Sequence, residues 1–383
     1  MDDLNISKEY YDKVMETKNI EKLEHLIPAF VMVTLFMIVG LPGNLFVIIV
    51  YYRKMRRTTS RYFIIVLAAL DFINCVVTMP MELALLSNFY TFDLPWLCKL
   101  IRFITYSTQN SSAIILLGIA VDRFRNICQA TKRSFSLKHV KIFCICSVIF
   151  ATLSSTPSIL LYGTNTKILP VVMELNLTIH GKTCLIEDKY WRSTFIAAFN
   201  AYIFCCNAII FVVISIAYIL IGKEMFIRKE FWSYRKKSIT EELQREAEPS
   251  VNRNKSSLTS LSLKKHELET ITECHKSETE KTENRISVTK TTCMLFLVTL
   301  FYIISFLPFL VIATFRNLKP DFYERMSVVE NSIYNFFLRT YFLNNVINPI
   351  LYGFLNEQFR RRVVQLFREC FCFSVNSACG SDI

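Results

Sequence analysis

The apolar positions of this chain fall in long, nearly unbroken runs separated by short polar stretches, not in the alternations of half-buried strands or helices. Seven runs stand out, at about 28–52, 61–87, 99–129, 138–162, 192–222, 290–315 and 331–353. Each is near or above the roughly 20 residues that a helix needs to cross hydrocarbon. Arg102 interrupts the third run and Asn200 the fifth. The pattern predicts an all-α membrane protein, a seven-transmembrane helix bundle over 28–353 with polar flanks at 1–27 and 354–383.

Between the fifth and sixth runs, residues 223–290 mix acids and bases, are rich in Ser and Thr and hold almost no aromatic residue after Tyr234. Such a composition buries too little to order itself. It reads as a long, largely disordered loop whose ends extend the fifth and sixth helices. No internal repeat is visible, which argues against a transporter built from duplicated halves.

Charge gives the orientation. The first connection, "YRKMRRTTSR", holds five bases and no acid, and the second carries Arg125, Lys132, Arg133, Lys138 and Lys141. Alternate connections are far poorer in bases, so the positive-inside bias puts the N-terminus outside and the C-terminus in the cytoplasm, with the plasma membrane as the expected site. The net charge of +12 therefore reads as attraction to lipid headgroups, not to nucleic acid. The sequons at Asn5 and Asn176 fall outside, where glycosylation occurs; the one at Asn110 lies within a span and should stay bare. Most of the 13 cysteines lie inside apolar runs, where a thiol behaves as a small hydrophobe. Cys98 and Cys184 fall on the outer face, a placement that permits one disulfide. Cys370 and Cys372, after a basic stretch, are palmitoylation candidates.

Several polar residues sit where hydrocarbon should exclude them. Asp71 lies mid-span, and Asn44, Ser112, Asn344, Asn345 and Asn348 are its available partners. Plain interhelical hydrogen bonds are the simplest account of any one of them. The set gains meaning from its neighbours. "GN" at 43–44, "LAALD" at 67–71, "DRF" at 122–124, "FLP" at 306–308 and "NPILY" at 348–352 occur in order, with Cys98 ahead of Asp122 and Arg123. Together they resemble the signature series of rhodopsin-like (class A) G-protein-coupled receptors, over roughly residues 28 to 370.

The resemblance implies a hydrated sodium site formed by Asp71, Ser112, Asn344, Asn345 and Asn348, and no other cofactor. It implies that Pro349 loosens its helix so that Tyr352, with Tyr218, approaches Arg123 when the sixth helix moves outward; Phe306 and Pro308 belong to that moving helix. Phe359 and the bases at 360–362 fit a short amphipathic eighth helix. Implied partners are an extracellular ligand, a heterotrimeric G protein, arrestin, receptor kinases and membrane lipid. The chain also departs from the pattern. No tryptophan stands near Ser147, Ile210 replaces the fifth-helix proline, and Phe306 and Tyr302 replace the usual tryptophan and phenylalanine.

Thr105 stands where amine receptors carry their aspartate, and Phe342 where opsins carry their lysine, which argues against both ligands. "DLPWLCK" at 93–99 and the long loop at 163–189 resemble peptide receptors, so a peptide is the expected ligand, with a lipid or other small molecule as the alternative. The candidate pocket residues are Glu82, Arg102, Thr105, Gln109, Phe306 and Arg339. Glu82 is expected to take a ligand cation and the arginines a carboxylate, or else Glu82 pairs with one arginine. A transporter, a hydrolase and a receptor-like protein that no longer signals are the rival readings. Five histidines, none spaced as ligands within a span, argue against an enzyme.

Overall fold

The computed structural model describes residues 8–129, 135–172, 177–191, 193–247, 290–315 and 326–378. In chain order the elements are α1 (Lys8–Lys54), α2 (Thr59–Ile73), a π turn (Asn74–Thr78), α3 (Met79–Ser87) and α4 (Pro95–Cys128). After them come α5 (Leu137–Ser155), α6 (Pro157–Leu161) and the strands β1 (Tyr162–Val172) and β2 (Leu177–Ile186). Then follow α7 (Thr194–Ala247), α8 (Lys290–Phe315), α9 (Val328–Phe337), a 3₁₀ turn (Thr340–Leu343), α10 (Asn344–Leu355) and α11 (Glu357–Ala378).

Five of the seven spans are, among the described residues, helices long and apolar enough to cross a membrane: α1, α2–α3, α5–α6, α7 and α8. The other two are α4, which is long but more polar, and the seventh span, which is broken between α9 and α10. Those two carry much of the bundle's buried polar chemistry. Large apolar side chains such as Ile38, Leu153, Ile209 and Ile219 point outward, as expected of helices solvated by lipid.

Local chemistry sets the boundaries. Thr58 caps α2 by accepting from the Arg61 N–H, Ser136 caps α5 through His139, and Ser327 with Glu330 forms a complete capping box for α9. Pro80 has no N–H to give, and the Met79 N–H reaches back to the Asn74 carbonyl, which widens the helix into the π turn. One inserted residue rotates the following face by roughly 100°. It sets where Glu82 faces.

Glycine lets α1 approach the seventh span closely. A Cβ at Gly43 would stand 2.8 Å from Pro349 Cβ, and one at Gly40 would stand 2.7 Å from Cys75 Sγ. On the other side of the bundle Phe143 of α5 occupies the notch over Gly118 of α4, where an added Cβ would stand 2.3 Å from its ring. That contact ties α5 to α4 without the tryptophan that the sequence lacks.

Two helices run past their apolar runs, and two expectations, on the eighth helix and the seventh span, need correcting. Residues 8–27 continue α1, because the stretch contains no proline or glycine and finds partners. Tyr11 donates to the His180 carbonyl (2.8 Å), and the Asn19 side chain accepts from the Tyr90 N–H (2.8 Å). The fifth helix runs on to Ala247 and so extends into the loop, as its composition suggested; 248–289 lie outside the described residues. The eighth helix is not short, spanning 22 residues. The seventh span is not one helix from 331 to 353.

Candidate functional site

The loop expected at 163–189 folds as an antiparallel hairpin, β1 on β2, with Thr164 opposite Cys184. Cys184 is bonded to Cys98 of α4 across a sequence separation of 86, with Cα atoms 5.5 Å apart. The hairpin is thereby fixed against the end of α4. A cavity opens beside it, and all six pocket residues read from the sequence line it: Glu82, Arg102, Thr105, Gln109, Phe306 and Arg339. Tyr106, Tyr162 and Tyr341 supply aromatic walls, and Tyr106 and Tyr162 join through their hydroxyls at 2.8 Å.

The charged residues in this cavity form one buried cluster. Arg339 Nε donates to Glu82 Oε1 (2.9 Å) and Arg102 Nη1 donates to Glu82 Oε2 (3.2 Å). Each carboxylate oxygen accepts from a different guanidinium, which is the pairing alternative for Glu82 extended from one arginine to two. The break in the seventh span makes this possible. Because α9 ends at Phe337, the Asn335 carbonyl loses its helical donor, and Arg339 Nη1 replaces it at 3.0 Å. Gln109 is buried, and neither atom of its amide has a partner.

Deeper in the bundle Asp71 is fully buried. Asn348 donates to its Oδ2 (2.7 Å), while Oδ1 has no partner. The Ser112 hydroxyl and the side-chain oxygens of Asn344 and Asn348 are likewise buried without a hydrogen bond. Four orphaned oxygens from the expected set, one of them a carboxylate's, suit a hard cation, which takes oxygen ligands. Asn345, the fifth residue of that set, differs in having a partner: its Oδ1 accepts from Asn74 (3.3 Å). Asn74 also accepts from Thr108 (2.8 Å), and so joins α4 to the seventh span, a link not apparent from sequence.

Pro349 explains another contact. Having no N–H, it leaves the Asn345 carbonyl one turn back without a helical donor, and the Asn44 amide fills the vacancy at 2.7 Å. The same amide reaches the Gly40 carbonyl at 2.9 Å. In α8, one turn before Pro308, the Ser305 carbonyl accepts from the Thr340 hydroxyl (2.9 Å). Tyr302 and Phe306 stack with centroids 5.5 Å apart, and the Tyr302 hydroxyl donates to Asn207 of α7 (3.1 Å). Tyr302 thus links α7 to α8 by a bond that the usual phenylalanine lacks. Ile210 leaves α7 unbroken where the family usually has a proline.

At the end of the bundle opposite the hairpin, Arg123 pairs with Asp122 and donates to the Ser60 hydroxyl (2.7 Å), while Thr59 donates to Asp122 (3.3 Å). Arg123 is buried in this arrangement and hydrogen-bonds Ser60 and Asp122, not Tyr218 or Tyr352. Tyr218 packs on Phe296 of α8 with centroids 5.2 Å apart. Tyr352 is fully buried against Tyr51, and its hydroxyl has no partner. Phe359 of α11 meets Tyr51 at 5.8 Å, which docks the eighth helix. Asn5 and Asn176 lie outside the described residues, as do the side chains of Cys370 and Cys372.

The relatives of this chain agree with that anatomy. It is 26% identical over 348 residues to the neuropeptide F receptor of Drosophila melanogaster, covering 88% of this chain and 61% of the relative. It is 23% identical over 362 residues to the neuromedin-U receptor 2 of Mus musculus, covering 93% and 78%. A shorter match, 32% identical over 120 residues, links it to the QRFP-like peptide receptor of Branchiostoma floridae, at 31% of each chain. The family described as 7 transmembrane receptor (rhodopsin family) matches residues 43–352. The chain belongs to the rhodopsin family of seven-transmembrane receptors.

Proposed function

We propose that this chain is a plasma-membrane receptor that binds an extracellular peptide in the cavity beside the hairpin and activates a heterotrimeric G protein at the Arg123 end. In this orientation residues 8–27 and the hairpin face outside, and α11 lies on the inner leaflet. The observation that carries the reading is the pairing of two features in one bundle. One is a mouth walled by a disulfide-anchored hairpin, lined with aromatic and charged groups. The other is an arginine held by its neighbouring aspartate at the far end, in a bundle whose sixth and seventh spans carry Pro308 and Pro349 within their helices. Side chains that exchange between two sets of partners make a two-state element that a ligand can bias. The named relatives are peptide receptors, which favours a peptide over a lipid.

Within that mechanism the residues have separate tasks. Arg123 leaves Asp122 and enters a groove opened by movement of α8, where Tyr218 and the unpartnered hydroxyl of Tyr352 become its new neighbours. Asp71, Ser112, Asn344 and Asn348 would hold a sodium ion, which supplies the positive charge that no side chain offers Asp71 and favours the packed arrangement. The test is nucleotide exchange on purified heterotrimeric G protein by receptor in lipid nanodiscs, challenged with a panel of synthetic neuropeptides. Parent receptor should accelerate exchange with at least one peptide, and Arg123→Ala should bind that peptide with unchanged affinity but accelerate nothing. Equal acceleration by Arg123→Ala would remove the arginine from the switch.

A further inference from the structure

The cavity beside the hairpin is electrically lopsided. Among the described residues that line it, one is acidic, Glu82, and three are basic, Arg102, Lys167 and Arg339. The charge of Glu82 is already matched, because each of its oxygens accepts from a different guanidinium. One carboxylate between two arginines leaves a surplus positive charge in a place that hydrocarbon and aromatic rings keep at low dielectric. Uncompensated charge there is costly, and an entering anion removes the cost.

The donors needed to receive that anion are present. A guanidinium offers five N–H groups. Arg102 gives one contact to Glu82, and its Nε is buried without a partner. Its guanidinium carbon stands 6.0 Å from the Tyr162 ring centroid, a contact that fixes the fork's direction without using a donor. Arg339 is more committed, bonded to Glu82 and to both oxygens of Asn335. Arg102 is therefore the member of the cluster with donors to give. Gln109, also on α4 and on the cavity wall, adds a buried amide with no partner on either atom. Outside the apolar run of α1, Lys22 senses the same field: burial, then Arg339 and Lys167, pushes its ammonium down to about 8.

Resting on the reading of this cavity as a ligand site, we propose that Arg102, positioned by Glu82 and Arg339, is a subsite for a ligand carboxylate. The receptor thereby selects ligands whose buried end is anionic, and disfavours amidated or cationic ends. A free C-terminus and an acidic side chain present the same planar group, which an arginine fork receives in two parallel bonds. A cation entering the cavity meets a carboxylate whose charge two guanidiniums already outweigh, and is repelled by both.

Affinity selection on full-length receptor in lipid nanodiscs tests this with three tetrapeptide pools, read by mass spectrometry. The first has neutral side chains and a free C-terminal carboxylate, the second is the same pool amidated, and the third is amidated but carries one Asp or Glu. The first or third should be retained at least tenfold over the second; the first in excess identifies a terminal carboxylate, the third a side chain. Arg102→Gln leaves Glu82 paired with Arg339, so the fold survives, and should reduce the preference to less than twofold. Arg102→Lys keeps the charge and should keep most of it. Retention of the neutral amides as well as or better than both acidic pools overturns the anionic subsite while leaving a peptide receptor. No pool retained above empty nanodiscs overturns both.

Discussion

Two buried carboxylates lie along one continuous span of this protein and are compensated in opposite ways. Glu82, in α3, has both oxygens bonded to arginines that the fold itself supplies. Asp71, in α2, has one bond to an uncharged amide and a second oxygen with no partner at all. Burial forces the same demand on both, since a carboxylate out of water must find a cation, take up a proton or cost several kcal/mol. The first is answered by fixed side chains on α4 and at the break in the seventh span. The second leaves room for a mobile ion. Fixed compensation makes a rigid wall with a preferred ligand charge, and mobile compensation makes a site whose occupancy follows conditions.

Glu82→Ala should produce the largest effect. It strands two buried guanidiniums at once, and breaking a buried pair by removing one partner costs about 4 kcal/mol. Thermal unfolding in nanodiscs should show a large fall in midpoint, and Glu82→Gln, which keeps the shape and one acceptor, should recover part of it. A midpoint unchanged in Glu82→Ala would mean that water, not the carboxylate, balances Arg102 and Arg339.

Asn44→Ala comes next, at about 2 kcal/mol, because it leaves the Asn345 carbonyl, freed by Pro349, buried without a donor. The contact lies beside Asp71's side of the bundle, so it separates loss of packing from loss of ion binding. The midpoint should fall equally in sodium and in N-methyl-D-glucamine. A fall confined to one of the two salts would place Asn44 in the ion site.

Much of this anatomy is legible in the residues. Runs of apolar sequence locate the spans because lipid demands them, and Glu82, Arg102 and Arg339 are identifiable as cavity residues because charged groups inside apolar runs have few tolerable surroundings. Other features left no such mark. The π turn depends on where an N–H is missing, and Pro80 alone does not say whether a helix kinks, ends or widens. Lys8–Ile27 has ordinary helix-forming composition, and only its docking on Tyr90 and His180 shows why it stays helical. Asn74 and Asn207 look like any mid-span asparagines until Asn345 and Tyr302 are placed opposite them. Arg339 reads as a charge, yet half of its task is to cap a broken helix.

Asp71→Asn should show the mobile half of the comparison directly. In the parent, sodium in place of N-methyl-D-glucamine should raise the unfolding midpoint, by the equivalent of about 1.4 kcal/mol when the ion is near ten times its dissociation constant. The variant keeps the shape and loses the charge, so the sodium increment should vanish. Glu82→Gln should leave the increment intact, because that carboxylate's cations are covalently part of the chain. Loss of sodium response in both variants would mean that the two carboxylates share one ion.

Asn345→Ser is expected to have the smallest effect and draws the boundary of the ion site. The resemblance assigns Asn345 to the sodium shell, whereas in the structure its oxygen accepts from Asn74 and its backbone carbonyl from Asn44. The backbone contact survives the substitution. What is lost is one long side-chain bond of 3.3 Å, which is near the limit for an amide donor and worth at most about 0.5 kcal/mol. The unfolding midpoint should therefore shift slightly, and by the same amount with and without sodium. If Asn345→Ser instead enlarges the sodium increment, the smaller residue has opened the site and the asparagine was crowding it. If it abolishes the increment, Asn345 is a ligand, and its bond to Asn74 is one of two positions that the side chain occupies.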